Sequence, residues 1–309
     1  MQTDKTANLL WRLLDSDAGY KFRTSPVTVV AAVVAVLMIG AAMLASVVAP
    51  YDPFDLASID LMNSLIPPAW REGGDPAFLL GTDDQGRDML SAILYGTRTS
   101  IMVGAVSVSF AVLAGITFGL LAGYLGGVVD AVIMRIVDIQ MTFPAIMVAL
   151  LIDGATRSVL PREQHDRLAI FVIIMAMALS IWPQVARTVR ASTMVEKGRE
   201  YVQAAQVIGR GPVVIMVRHV LPNVMSPVLV IATINLGVAI LGEATLSFLG
   251  VGIPASQPSL GTLIRIGNNF IFSGELWMLL FPGMTLALLV LSVNLLGDWL
   301  RDVLDPKLR

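Results

Sequence analysis

No cysteine occurs in this sequence, which excludes thiolate metal sites and thiol catalysis and leaves the redox compartment unreadable. Imidazole is scarce too, since His165 and His219 are the two histidines. None of the four lysines, Lys5, Lys21, Lys197 and Lys307, stands in the glycine-rich Lys-Ser/Thr setting of a P-loop, so no nucleotide site or bound cofactor is expected on this chain. No paired His-Glu motif or Gly-x-Ser-x-Gly elbow appears, which sets aside a membrane-embedded enzyme. Charge is the largest deficit: 14% of residues are charged, against about 25% in soluble domains. A chain that is 56% hydrophobic with so few charges has the bilayer as its solvent.

Six apolar runs carry that hydrophobicity: Val27–Ala49, Ser100–Leu121, Val132–Ile152, Leu168–Val185, Val224–Leu241 and Leu276–Leu296. The third is interrupted by Arg135, Asp138 and Pro144. The first has 23 residues, longer than the roughly 7 to 15 of a signal-peptide core, and Ala49-Pro50-Tyr51-Asp52-Pro53 lacks a small-residue cleavage pattern, so a retained helix is expected. Thirteen basic residues lie outside the runs on one expected side: Lys5, Arg12, Lys21 and Arg23 before the first, Arg187, Arg190, Lys197, Arg199, Arg210 and Arg218 between the fourth and fifth, and Arg301, Lys307 and Arg309 after the last. The three other loops hold seven. The positive-inside rule then places both termini and the 187–223 loop in the cytoplasm. The expected organisation is an N-terminal cytoplasmic segment (1–26), a first helix (27–49), an extracytoplasmic segment (50–98), a five-helix core (99–297) and a cytoplasmic tail (298–309).

The 187–223 interruption is the most informative stretch. Tyr201, Ala204, Ala205 and Ile208 recur at i, i+3, i+4 and i+7, so a helix from Glu200 to Ile208 carries one narrow apolar face, with Glu200, Gln203 and Gln206 pointing elsewhere. Gly209 suits a left-handed helix end, and Gly211-Pro212 leads to a second short run, Val213 to Val220, that Pro222 is expected to stop. A nine-residue helix is marginal alone, where roughly 12 to 15 residues are needed, so packing must hold it, a partner protein being the obvious candidate. The alternative, an interfacial helix lying on lipid, lacks the large apolar residues and flanking lysines such helices use.

Elsewhere, Thr82 or Asp83 followed by Met89, Leu90, Ile93 and Leu94 suggests a short amphipathic helix leading into the second span. The Asp-rich loop before it matches no EF-hand spacing, and no metal site is expected. Ser107, Ala111, Gly115, Gly119 and Gly123 form a period-four stripe suited to close helix packing, with a neighbour in this chain or in a second subunit. Arg135 and Asp138, three apart, are read as a structural ion pair, with a pathway role as the alternative. Glu243, without an obvious local partner, is a candidate pathway or gate residue, with a bond to a neighbouring helix as the alternative; Asn235 is a further pathway candidate, although Asn235 and Asn294 are read as interhelical hydrogen-bond donors rather than substrate ligands.

The spacing Gln203-Ala204-Ala205, Gly209, His219 and Leu221-Pro222 resembles the cytoplasmic coupling motif of ABC importer membrane subunits, with Gln203 where Glu is usual and His219 where Ile is usual. The runs from Leu80 to Asp88 with Gly96 and Arg98, Trp182-Pro183, Ala186-Arg187, Glu200-Tyr201-Val202, Arg218 to Asn223, Leu246 to Gly250 with Pro258-Ser259, and Asn294 to Pro306 are similar to the dipeptide/oligopeptide/nickel permeases, C-type subunit. The resemblance implies an all-α, six-span type I importer permease in a bacterial inner membrane, with a long extracytoplasmic segment between helices 1 and 2. It further implies a B-type permease partner, two ATPase subunits that bind ATP and Mg, and an extracytoplasmic solute-binding protein, with no nucleic acid. Glu200, Tyr201, Gln203, Ala204, Ala205, Ile208, Gly209, Leu221 and Pro222 would make the ATPase-coupling element. Peptides are the leading solute; nickel chelates, glutathione and opines are alternatives within the family. An ion-coupled carrier or channel is the rival outside it, but leaves the bent loop without a task.

Overall fold

The computed structural model describes residues 17–53, 55, 59–254, 257 and 259–304, though not the side chains of 17, 18, 162, 163 and 165–167. Lys5, Arg12, Lys307, Arg309 and Pro258 lie outside the described residues, with most of the 1–26 segment, the end of the 298–309 tail and the His165 side chain. Among the described residues there are helices and no strand, apart from one isolated bridge between Thr82 and Asp88.

After the short α1 (Asp17–Thr24), α2 (Pro26–Met43) begins where the Ser25 hydroxyl accepts the Thr28 N–H at 3.3 Å and Pro26 occupies a position that needs no donor. A break at Leu44 separates it from α3 (Ala45–Val48), so the first apolar run is one helix with an interruption. The second run lies within α4 (Met89–Leu125), whose 37 residues span about 55 Å at 1.5 Å per residue, well beyond the roughly 30 Å hydrocarbon core.

The separate amphipathic helix expected from Thr82 or Asp83 is absent. Asp88 is the cap, its carboxylate accepting the Ser91 N–H at 2.8 Å and the Ser91 hydroxyl at 2.6 Å. Thr82 instead braces the preceding loop, donating to the Asn63 carbonyl at 2.6 Å and accepting the Ile66 N–H at 2.8 Å. Asp83 binds Arg87 in a buried pair at 2.6 Å.

The third run is broken. α5 (Gly127–Met141) and α6 (Ala145–Val159) meet at 88°. Pro144 lacks an N–H and disfavours helical geometry at Phe143, so the helix ends there and restarts at Ala145. The ion pair expected between Arg135 and Asp138 is also corrected: Asp138 accepts from Arg187 of the neighbouring helix at 2.6 Å. An Arg that precedes its acid along one helix is the weaker arrangement, and the approach of Arg187 supersedes it.

α7 (Arg162–Lys197) runs 36 residues, past the expected end at Val185. The chain then forms α8 (Glu200–Val207) and α9 (Pro212–Ile215). The stop expected at Pro222 does not occur. Met216–Val220 is a π turn, closed by the Leu221 N–H on the Met216 carbonyl, and α10 (Leu221–Phe248) continues from it. The wider turn accommodates a residue that cannot donate. α11 (Leu260–Asn268), not anticipated from sequence, and α12 (Trp277–Leu304) complete the bundle. Among the described residues, five helical stretches are long and apolar enough to span a membrane, six if the bent pair counts as one.

The small-residue stripe packs within the chain. A Cβ on Gly115 would fall 2.5 Å from Val185, on Gly119 2.6 Å from Val189 and on Gly123 2.7 Å from Thr193, so α4 and α7 approach backbone to backbone.

Candidate functional site

Helix α7 leads into α8 through a two-residue link, Gly198 and Arg199. Helix α8 ends in a full Schellman turn. The Gly209 N–H meets the Gln206 carbonyl at 2.9 Å and the Arg210 N–H meets the Ala205 carbonyl at 3.1 Å, with Gly209 at φ +79°. The space beside Gly209 is open, so its requirement is the left-handed backbone alone.

The apolar face expected on α8 divides in two. Ala205 turns inward beside Val202, which is fully buried, and both join the core containing Ile215, Val220 and Val224. Tyr201 and Ala204 stay exposed, while Val207 and Ile208 are bare at 88% and 75% exposure. Sequence reasoning missed Val202 and Val207. The i, i+3 pair Val202 and Ala205 was the readable signal for the inner stripe. Ile208 is the cap rather than a helical residue, Leu221 is half-buried, and Glu200 and Pro222 are exposed.

Polar side chains tie α8 to three other helices. The Tyr201 hydroxyl donates to Glu196, in the last turn of α7, and accepts from the Asn223 amide of α10 at 3.1 Å. Gln203 donates to the Gly198 carbonyl at 3.2 Å, and Gln206 donates to the Tyr124 hydroxyl of α4 at 3.4 Å. Lys197 closes the junction, its ammonium 2.6 Å from the Tyr124 carbonyl. Desolvation, then the Glu196 carboxylate, pushes the Tyr201 hydroxyl up to about 12, so it remains a donor at neutral pH.

Glu243 lies deep in α10, far from this element in sequence, with no exposed surface. Its two carboxylate oxygens accept from Ser100 of α4 and Ser247, each at 2.7 Å, and Ser100 in turn accepts the Leu260 N–H that opens α11 at 3.3 Å. Glu243 thus bonds a serine of its own helix and one of a neighbouring helix. Asn235 is likewise buried, its amide donating to the Ile231 carbonyl at 2.8 Å. Among the described residues, no three His, Asp or Glu side chains converge to hold a metal.

Residues 115–309 match the family of binding-protein-dependent transport system inner membrane components, and residues 15–68 match the N-terminal TM domain of oligopeptide transport permease C. The dipeptide transport system permease protein DppC of Haemophilus influenzae is 40% identical over 279 residues, covering 90% of this chain and 91% of that protein. The di/tripeptide transport system permease protein DppC of Pseudomonas aeruginosa is 38% identical, covering 88% and 86%. In fold, the chain is similar to an inward-facing structure of the MetNI methionine ABC transporter, at a TM-score of 0.55 and 20% identity over 70% of this chain and 98% of that one. With a multi-pass helical bundle, a family match over most of its length and relatives aligned nearly end to end, this chain belongs to the binding-protein-dependent inner membrane components of ABC importers, in the oligopeptide permease C branch.

Proposed function

We propose that this chain is the C-type permease subunit of an ATP-driven importer of di- or oligopeptides, and that α8 is its contact with an ATPase subunit. The observation that carries this reading is a helix whose inner face is built into the bundle while Ala204, Val207 and Ile208 present an uncovered apolar face. In water that face is costly, and a groove on a soluble partner would cover it. The peptide specificity rests on the similarity to the two DppC permeases. A B-type permease would complete the pathway, two ATPase subunits would bind ATP and Mg, and an extracytoplasmic binding protein would deliver solute. Both termini and α8 then lie in the cytoplasm. A cavity of about 590 Å³ near α8, lined by Gln184, Thr188, Asn223, Ser226 and Arg301 among others, suits the inner end of a solute path.

ATP can shift this system only if it favours one arrangement of the ATPase pair and the contact passes that preference on. Gly209→Val tests the reading. A β-branched residue in left-handed geometry costs on the order of 1 to 2 kcal/mol, about tenfold or more in the population of the native turn. The assembled complex should keep hydrolysing ATP while peptide uptake falls roughly tenfold; unchanged uptake contradicts the proposal.

A further inference from the structure

We infer that Tyr201 is not an ATPase contact but an internal strut, a positioning residue that locks α8 to α7 and α10 so that the three move as one body. The inference rests on the proposed role of α8 and assigns one of its residues a different task.

The phenol bridges two helices, α7 and α10, adding a polar tie to the burial of Val202 and Ala205. Its hydroxyl donates to the Glu196 carboxylate in the last turn of α7 and accepts from Asn223 Nδ2 at the start of α10. The same amide nitrogen donates at 2.7 Å to the carbonyl of His219, inside the π turn. One chain of hydrogen bonds therefore runs from α7 through Tyr201 and Asn223 into the irregular turn that opens α10. That turn is where the backbone departs from regular helix, and so where a push on α8 would be absorbed if nothing bridged it. A hydrogen bond to a carboxylate is among the stronger ties a side chain can make. Gln203 belongs to the same scaffold. Its amide hydrogen is given to the Gly198 carbonyl, a bond that an ionised carboxylate at that position could not donate.

Tyr201→Phe removes both bonds of the hydroxyl and leaves the ring. In the full complex in proteoliposomes, the variant should assemble with its ATPase subunits and hydrolyse ATP as before, while peptide moved per ATP falls on the order of tenfold, as loss of a charge-assisted bond allows. Glu196→Gln, whose amide oxygen still accepts from the phenol, should retain most of the coupling. Hydrogen exchange of the purified chain provides a second reading that needs no ATPase: the amides of 200–207 should exchange roughly tenfold faster in Tyr201→Phe, with those of α12 unchanged. Unaltered exchange together with an unaltered transport ratio overturns the strut. Loss of ATPase binding with unaltered exchange also overturns it, making Tyr201 a docking residue. A wild-type chain that captures no ATPase, with exchange still accelerated by Tyr201→Phe, would instead sink the importer reading and leave the strut standing.

Discussion

Ser100 donates a hydrogen bond of 2.7 Å to Glu243 across 143 positions of sequence, and this contact joins α4 to α10 beneath the first turn of α11. A carboxylate with no exposed surface is tolerated only where its oxygens are bonded. Glu243→Ala should therefore lower stability by roughly 2 to 4 kcal/mol, because it strands two buried hydroxyls and leaves a void. Glu243→Gln should cost less, since one oxygen still accepts. Thermal unfolding of the purified chain in detergent checks the order; an alanine variant as stable as wild type would show that the junction contributes nothing.

Two ion pairs of equal length should differ in worth. Asp83 and Arg87 meet at 2.6 Å with side chains 1% and 2% exposed, whereas Asp138 and Arg187 meet at 2.6 Å with side chains 60% and 51% exposed. Solvent screens the second pair, so Asp138→Asn should change stability by less than about 1 kcal/mol. Asp83→Asn removes the carboxylate bonded to a buried guanidinium and should cost more, on the order of 3 kcal/mol. Denaturation of the two variants side by side measures the contrast.

The α4 and α7 contact leaves no room for side chains. Gly119→Leu should prevent the pair from closing, because even a Cβ would lie 2.6 Å from Val189, while Gly154→Ala, with open space around it, should be neutral or slightly stabilising. Limited proteolysis of membranes containing each variant separates them: the first should be cut rapidly, the second at the wild-type rate.

The raised pKa of Tyr201 fixes the sign of a pH effect. The native state holds this proton more tightly than an unfolded chain does, so the associated stabilisation is complete below the ordinary value of 10.0 and is lost as pH rises towards 12. The difference in phenolate absorbance between wild type and Tyr201→Phe should titrate near 12; a difference centred near 10 would mean that the hydroxyl has no such surroundings.

The spans were legible because twenty apolar residues in succession have few other destinations. Direction was less so. Composition across Val132–Ile152 cannot report an 88° bend, although Pro144 marks where it falls. Pro222 reads as a stop by its missing N–H, yet a turn with one extra residue removes the need for that donor. The glycine stripe announced close packing and not the identity of its neighbour, which lies about seventy positions away on α7. Asp138 meets Arg187 and Glu243 meets Ser100, each on another helix, a relation that local spacing does not encode, whereas the second bond of Glu243, to Ser247 four positions on, is one that it does. In α8 the turn at Gly209 was readable from the residue type, whereas the inward rotation of Ala205 followed from the tether to α7 and α10.

The most direct test of the account uses the absence of cysteine. Ile208→Cys introduces a single thiol at a position 75% exposed on the bare face of α8. A membrane-impermeant maleimide should label it in inside-out vesicles and not from the exterior, and the assembled ATPase subunits should protect it. Labelling from the outside, or no labelling on either side because lipid covers the thiol, would contradict the assignment of α8 as the cytoplasmic contact through which ATP drives transport.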